Sequence, residues 1–227
     1  MSSKKNIILI FLLGTFISFA SCAQNKNDLQ KADKIDRADL ASFKKATVAG
    51  GCFWCVEAVF ERVEGVKEAI SGYTGGKEKN PTYNAVASGK TSHAEAVEIY
   101  FDPKIISYKE ILQIFFATHD PTTLNRQGPD VGKQYRSAIY FQDQEQKSIA
   151  QEVINQLTQE GAFSNSIVTE VVPYTQFYEA EDYHQDYYEH NPNNPYIINV
   201  TRPKIKKFEK DFKKYLKASY TSSRESN

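Results

Sequence analysis

Residues 50–57 read Gly50-Gly51-Cys52-Phe53-Trp54-Cys55-Val56-Glu57, two thiols three residues apart with a Phe and the chain's single Trp between them. A short β-like run, Ala46-Thr47-Val48-Ala49, leads into the stretch. Val56, Val59, Phe60 and Val63 follow at i, i+3, i+4 and i+7, the spacing of an amphipathic helix. Cys52 then sits at a helix N-terminus, where unpaired backbone N–H groups and the macrodipole favour a thiolate. Gly50 and Gly51 let backbone or ligand approach without a Cβ in the way. Two readings stand side by side. Free Cys is commonly a small buried hydrophobe and a Phe-Trp pair is commonly core; the same residues also suit thiol chemistry. A zinc site would need further ligands, but the third Cys is far off at position 22 and the four His are scattered, so no metal is expected.

Working outward, 227 residues with 41% apolar and 13% aromatic composition suffice for the core of one domain of ordinary size. Fourteen Tyr against one Met is the compositional oddity. Residues 1–21 read as a secretory signal: Lys4 and Lys5 precede an apolar run from Ile7 to Ala20, broken only by Gly14, Thr15 and Ser18. The run is shorter than the roughly 18–20 apolar residues of a membrane span. Its end, Phe19-Ala20-Ser21-Cys22, resembles a bacterial lipobox with Phe19 where Leu is usual. Cys22 is therefore expected to be the lipidated N-terminus of a membrane-anchored, extracytoplasmic lipoprotein. Losing the leader leaves 26 bases against 28 acids, a charge of −2, and nothing in that balance points to nucleic acid. Residues 22–42 are Asn, Gln, Lys and Asp with few apolar partners, a composition that reads as a flexible tether.

A domain over residues 43–200 then alternates periods. Val66 to Gly72 is a predicted strand, followed by Gly72-Tyr73-Thr74-Gly75-Gly76 and a polar loop through Tyr83. Ser92 to Phe101 reads as a strand stopped by Asp102-Pro103. Ser107-Tyr108-Lys109-Glu110 is a capping box opening a helix through Phe116, with Ile111, Leu112 and Phe115 inward. A loop over residues 120–134 leads to a strand at Ser137 to Phe141. A helix over residues 143–159 carries Ile149, Val153 and Leu157 on one stripe, and Ile167 to Val172 is a last strand. The order β-α-β-β-α-β, then a helix and a strand, predicts an α+β fold with a ferredoxin-like core and long loops. Residues 201–227 are read as a basic C-terminal helix and tail, with Ile205, Phe208, Phe212, Tyr215 and Leu216 on one face. Packing against the domain is the main reading and contact with anionic lipid the alternative.

One side chain breaks its own pattern. The face of the 92–101 strand that carries Val97, Ile99 and Phe101 also carries Glu95 and His93. A buried carboxyl has a raised pKa and can donate a proton near neutrality; alternatively Glu95 lies at a solvated strand end. His93 reads as structural.

Taken in order, Gly51-Cys52-Phe53-Trp54, Gly72-Tyr73-Thr74-Gly75-Gly76, Asn80-Pro81-Thr82-Tyr83, Ser88-Gly89-Lys90-Thr91 with His93-Ala94-Glu95, His119-Asp120-Pro121, Arg126-Gln127-Gly128 with Asp130, Gln134-Tyr135-Arg136-Ser137-Ala138-Ile139-Tyr140 and Ala180-Glu181-Asp182-Tyr183-His184-Gln185 resemble the A-type peptide methionine sulfoxide reductases from about Lys45 to Pro195. The resemblance implies reduction of the S epimer of methionine sulfoxide, in proteins, peptides and the free amino acid. It makes Cys52 the nucleophile on the sulfoxide sulfur, and Phe53 and Trp54 the walls of a pocket for the S-methyl group. Glu95 becomes the acid that protonates the oxygen, Tyr83 and Tyr135 the phenols that hydrogen-bond it, and Asp130 a polar residue held through a water network.

The chain departs from the commonest pattern in three places. Cys55 stands where Gly is common, with no Cys after it; residues 196–227 share little with the Gly-rich tails of relatives; and Pro129 precedes Asp130 where Asn is common. With Cys22 lipidated and remote, Cys55 is the only other thiol, and i, i+3 placement in a first helical turn suits a disulfide with Cys52. Recycling is therefore expected through a Cys52–Cys55 disulfide reduced by thioredoxin or another dithiol, with no cofactor, in a monomer. Two alternatives keep the same motif: a thioredoxin-like thiol-disulfide oxidoreductase, and a lipid-anchored binding module with a structural disulfide. A loop so short gains little from cross-linking, which disfavours the second.

Overall fold

A computed structural model describes residues 37–221. The expected signal, Cys22 and most of the tether lie outside the described residues.

The described chain runs α1 (Arg37–Leu40), β1 (Lys44–Gly50), α2 (Phe53–Phe60), β2 (Val66–Thr74), α3 (Tyr83–Ala87), β3 (Ala94–Phe101), α4 (Tyr108–Thr118), β4 (Arg126–Gln127), β5 (Asp130–Val131), β6 (Ser137–Phe141), α5 (Gln144–Gln159), β7 (Glu170–Pro173), β8 (Phe177–Glu179), α6 (Tyr187–His190), α7 (Arg202–Asp211) and α8 (Ala218–Thr221). Six strands form one sheet in the order β7-β6-β1-β3-β2-β8. Its four inner members, β6-β1-β3-β2, pair antiparallel throughout and are joined as β1-α2-β2-β3-α4-β6, the ferredoxin-like arrangement predicted. The helix and strand that follow add β7 parallel to β6, and β8 extends the opposite edge on β2. No strand was predicted at β8, because three residues carry too little periodicity to register.

Local signals worked where they were strong. Ser107 and Glu110 close the capping box reciprocally at the head of α4, and Ile111, Leu112 and Phe115 are fully buried. Asp143 caps α5 by accepting the Gln146 N–H at 2.8 Å. The helix after Cys52 differs from its prediction. It ends at Phe60, and its side chains are buried nearly all round, so it is a central helix and not an amphipathic surface one. Val63 lies beyond it and bridges to Leu216. Fully burying a side chain such as Phe53 or Phe60 is worth roughly 1.5–3 kcal/mol, so α2 is held by packing, with helix propensity contributing little.

The tail covers the other side of α2. α7 ends at Asp211 and a 3-10 turn, Lys213–Tyr215, replaces the longer predicted stripe; Ile205 and Phe208 are its buried residues. Arg62, two residues beyond the end of α2, pins this layer by ion pairs to Glu189 at 2.7 Å and Glu209 at 3.2 Å. That clamp fixes the segment between α6 and α7 over the two cysteines. Among the described residues no helix is long and apolar enough to cross a membrane.

Candidate active site

Cys52 is the N-cap residue of α2 and only 6% exposed. The chain reaches it through Gly51 at φ +91°, a left-handed backbone natural to glycine. A Cβ at Gly51 would lie 2.5 Å from Cγ of Gln127, so the missing side chain also lets the 120–131 loop press onto the turn. Gln127 is fastened to that loop by accepting the Asp120 N–H at 3.2 Å and donating to the Asp120 carbonyl at 3.1 Å. The loop, read from sequence as irregular, contains the small hairpin β4–β5, and β5 opens on Asp130.

Glu95 lies on β3 opposite Tyr73 of β2 and is 2% exposed, which removes the reading of a solvated strand end. Its Oε2 accepts the Phe53 N–H at 3.1 Å, so a free donor at the head of α2 points at the carboxyl. Burial pushes the Glu95 pKa up to about 8; the Phe53 N–H opposes that, while Asp130 and Cys55 add to it. At neutral pH Glu95 is thus a carboxylic acid, with a proton to give. His93, two residues earlier, is structural: it accepts the Gly76 N–H at 3.2 Å and pairs with the Glu78 carbonyl at 2.8 Å.

Tyr83 heads α3, and its backbone N–H donates to Glu181 at 2.9 Å, while the Tyr73 hydroxyl donates to the other oxygen of Glu181 at 2.8 Å. Glu181 so ties α3 to β2. Tyr135 ends a 3-10 turn held from both sides: Gln134 donates to the Ala87 carbonyl of α3 at 2.9 Å, and Arg136 donates to the Tyr140 hydroxyl at 3.2 Å. Burial raises both phenols, Tyr83 to about 12, with Glu95 and Cys52 acting on each in the same direction. Both therefore remain protonated donors.

Phe53 is fully buried beneath Tyr83, whose ring stacks on it at 6.3 Å, and beside His184 at 5.3 Å. Trp54 is half-buried and stacks face to face on Tyr187 at 3.8 Å. Its Nε1–H donates to His184 Nδ1 at 3.1 Å. The fixed donor on Nδ1 and a pKa lowered to about 4 by burial make His184 a neutral imidazole with its proton on Nε2. Tyr196 meets Trp54 edge-on at 5.8 Å and donates to Asp130 at 2.5 Å.

The two cysteines are free thiols, both buried, and near enough that each shifts the ionisation of the other. Cys55 also meets the Thr201 hydroxyl at 3.3 Å. Burial raises Cys52 well above the ordinary thiol range, and Cys55 and Glu95 reinforce that. Cys55 is lowered to about 7, first by the hydrogen bond from Cys52 and then, against burial, by Lys204, Thr201 and Tyr196. Burial thus acts to keep Cys52 protonated in the resting site, while the surroundings of Cys55 favour its thiolate. The helix N-terminus does not by itself make Cys52 a thiolate, because desolvation outweighs a dipole effect that is typically 0.3–1 kcal/mol when exposed.

The structure thus gathers Cys52, Cys55, Phe53, Trp54, Tyr83, Glu95, Asp130 and Tyr135 at the head of α2. Sequence reasoning missed Tyr196, Tyr187, His184, Glu181 and Thr201 as parts of this site. His184 and Glu181 lay in a quoted motif without a role, the surplus of Tyr was the one signal for Tyr187 and Tyr196, and Thr201 left none.

The family model described as peptide methionine sulfoxide reductase matches residues 44–216. The chain is 58% identical over 165 residues to a peptide methionine sulfoxide reductase MsrA of Trichodesmium erythraeum, covering 73% of this chain and 93% of that one. Among solved structures it resembles methionine sulfoxide reductase A of Corynebacterium diphtheriae, at TM-score 0.64 and 34% identity over 67% of this chain and 76% of the other. It also resembles the reduced form of Mxr1 from Saccharomyces cerevisiae, at TM-score 0.61 and 34% identity over 66% and 87% of the two chains. A thioredoxin-like oxidoreductase is not favoured by these matches. A family match across β1 to the tail, agreeing in sequence and fold, establishes that this chain belongs to the A-type peptide methionine sulfoxide reductases and is an enzyme of that activity.

Proposed function

We propose that Cys52 attacks the sulfur of the S epimer of methionine sulfoxide while Glu95 gives its proton to the departing oxygen. The observation that carries this reading is the deep burial of the Glu95 carboxyl against the Phe53 N–H, one residue from the nucleophile, a setting that raises its pKa to about 8. Tyr83 and Tyr135 donate hydrogen bonds to the oxygen as charge develops on it, and such preorganised donors act most strongly in a water-excluded site. Trp54, held by Tyr187 and His184, and Phe53 behind it receive the methyl group; Asp130 and Tyr196 complete the polar side. Fixing methyl and oxygen at once fixes the stereocentre between them, so one epimer reacts. In balance, the S–O bond of the sulfoxide breaks as one forms on Cys52, the proton leaving the Cys52 thiol replaces the one Glu95 gave, and the products are a Cys52 sulfenic acid and methionine.

Cys55 then attacks the Cys52 sulfur, forming a 52–55 disulfide and releasing water. A thioredoxin-like dithiol reduces that disulfide, since Cys55 is the sole second thiol among the described residues. At the N-terminal side we propose a cleaved leader over residues 1–21, a lipidated Cys22 and a tether to residue 42, placing the reductase domain outside the cytoplasm on a membrane anchor. The Lys4-Lys5 start, the apolar run and the lipobox-like end support this. The deciding experiment is turnover on each epimer of a methionine sulfoxide peptide with dithiothreitol: reduction of the S epimer alone is expected, and equal rates on both would overturn the reading.

A further inference from the structure

The structure surrounds Cys55 differently from Cys52. Cys55 is 4% exposed, and its sulfur rests 3.3 Å from the hydroxyl of Thr201, itself fully buried. Thr201 closes a π-helical turn, Ile197–Thr201, that runs straight into α7. Such turns are rare and often mark functional positions. One turn further on the same face, at i+3, stands Lys204, half-buried. The groups that act on Cys55 are Cys52 at the head of its helix, Tyr196 and Thr201 at the two ends of the turn, Lys204 from α7, and Glu95 from β3.

We infer that Thr201 and Lys204 are positioning residues for the resolving half of the reaction, together holding Cys55 as a thiolate aimed at the sulfur of oxidised Cys52. This rests on the reading of Cys55 as the resolving thiol. In the resting enzyme the largest influence lowering Cys55 is its hydrogen bond from the Cys52 thiol. Once Cys52 carries oxygen that thiol proton is gone, at the moment when the Cys55 thiolate is needed. Lys204 and Thr201 belong to a separate element and are unchanged by the first step. The ammonium favours the anion through its field, and the hydroxyl donates to the sulfur. In the step itself the Cys55 sulfur supplies the electron pair of the new S–S bond, the Cys52 S–O bond breaks, and the departing hydroxide takes from solvent the equivalent of the proton Cys55 lost on ionising, to become water. No outside oxidant or reductant enters.

The test is a single turnover without reductant on wild type, Lys204→Met, Lys204→Arg and Thr201→Val. Methionine released in the first step is measured beside the appearance of the 52–55 linkage by thiol alkylation and peptide mapping, between pH 5.5 and 9.5. For a Cys55 raised by about one unit, thiolate below the midpoint falls about tenfold, and greater intrinsic nucleophilicity recovers about threefold. Disulfide formation in Lys204→Met should therefore run about threefold slower below the wild-type midpoint and about two- to threefold faster at alkaline pH. Thr201→Val should shift the same way, and Lys204→Arg should restore the wild-type profile. Profiles that cross cannot come from damaged packing, which slows the step at every pH. Superimposed profiles, or a parallel loss at all pH, would overturn the inference. If wild type forms the disulfide and the variants match it, only this inference fails; if wild type forms no 52–55 disulfide, the assignment of Cys55 fails with it.

Discussion

Glu95→Gln removes one transferable proton and little else, since the amide oxygen can still accept the Phe53 N–H, whose nitrogen lies 3.1 Å from the Glu95 carboxyl oxygen. An acid used only as the S–O bond breaks typically contributes about 10²–10⁴-fold, so turnover should fall by that factor with KM little changed. In wild type, turnover should decline as pH rises through about 8, where Glu95 loses its proton. The same shift has a stability consequence. A carboxyl raised from 4.5 to about 8 binds its proton more tightly folded than unfolded, so its favourable effect is complete below about pH 4.5 and is lost as pH rises through about 8. At 1.36 kcal/mol per unit, burying Glu95 costs about 3 kcal/mol at pH 7 and about 5 kcal/mol at pH 9. Glu57 and Glu61 are also raised by burial, but they are present in both proteins and cancel in the difference. Urea unfolding at pH 5, 7 and 9 should show Glu95→Gln gaining about 4 kcal/mol on wild type across that range. A difference that stays flat with pH, together with turnover near wild type, would refute both the protonation state and the role.

Cys55→Ser should complete one turnover and stop at a Cys52 sulfenic acid, losing thioredoxin-supported cycling while small thiols still rescue it; wild-type cycling with thioredoxin would remove Cys55 from the mechanism. Gly51→Ala should destabilise by about 2–4 kcal/mol in urea unfolding, because it forces a side chain into φ +91° and against Gln127. Gly128→Ala, at φ +58° with open space around it, should cost only about 1 kcal/mol; equal effects of the two would show that Gln127 does not constrain the turn. Cys22→Ser should abolish lipid labelling and move the enzyme from the membrane to the soluble fraction, and unchanged fractionation would rule out the anchor.

The sequence by itself determined what is local or repeated. Periodicity and caps placed the core strands and α4 and α5, because burial of one face and satisfaction of terminal N–H groups leave marks at fixed spacing, as at Ser107 and Glu110. The ferredoxin-like order followed from the succession of those elements. The motifs around Cys52, Tyr83, Glu95, Asp130 and Tyr135 named a reductase before any contact was known. Tertiary structure alone decided what those residues experience. What Cys55 experiences depends on its interaction with Cys52, on burial, and on Lys204 and Thr201, some 146 to 149 positions away along the chain. The acid form of Glu95 depends on how deeply β3 is covered, and α2 is buried all round because the tail returns over it under the grip of Arg62. Electrostatic free energies depend on desolvation and distance in three dimensions, and neither is written in the spacing of residues along one strand or helix.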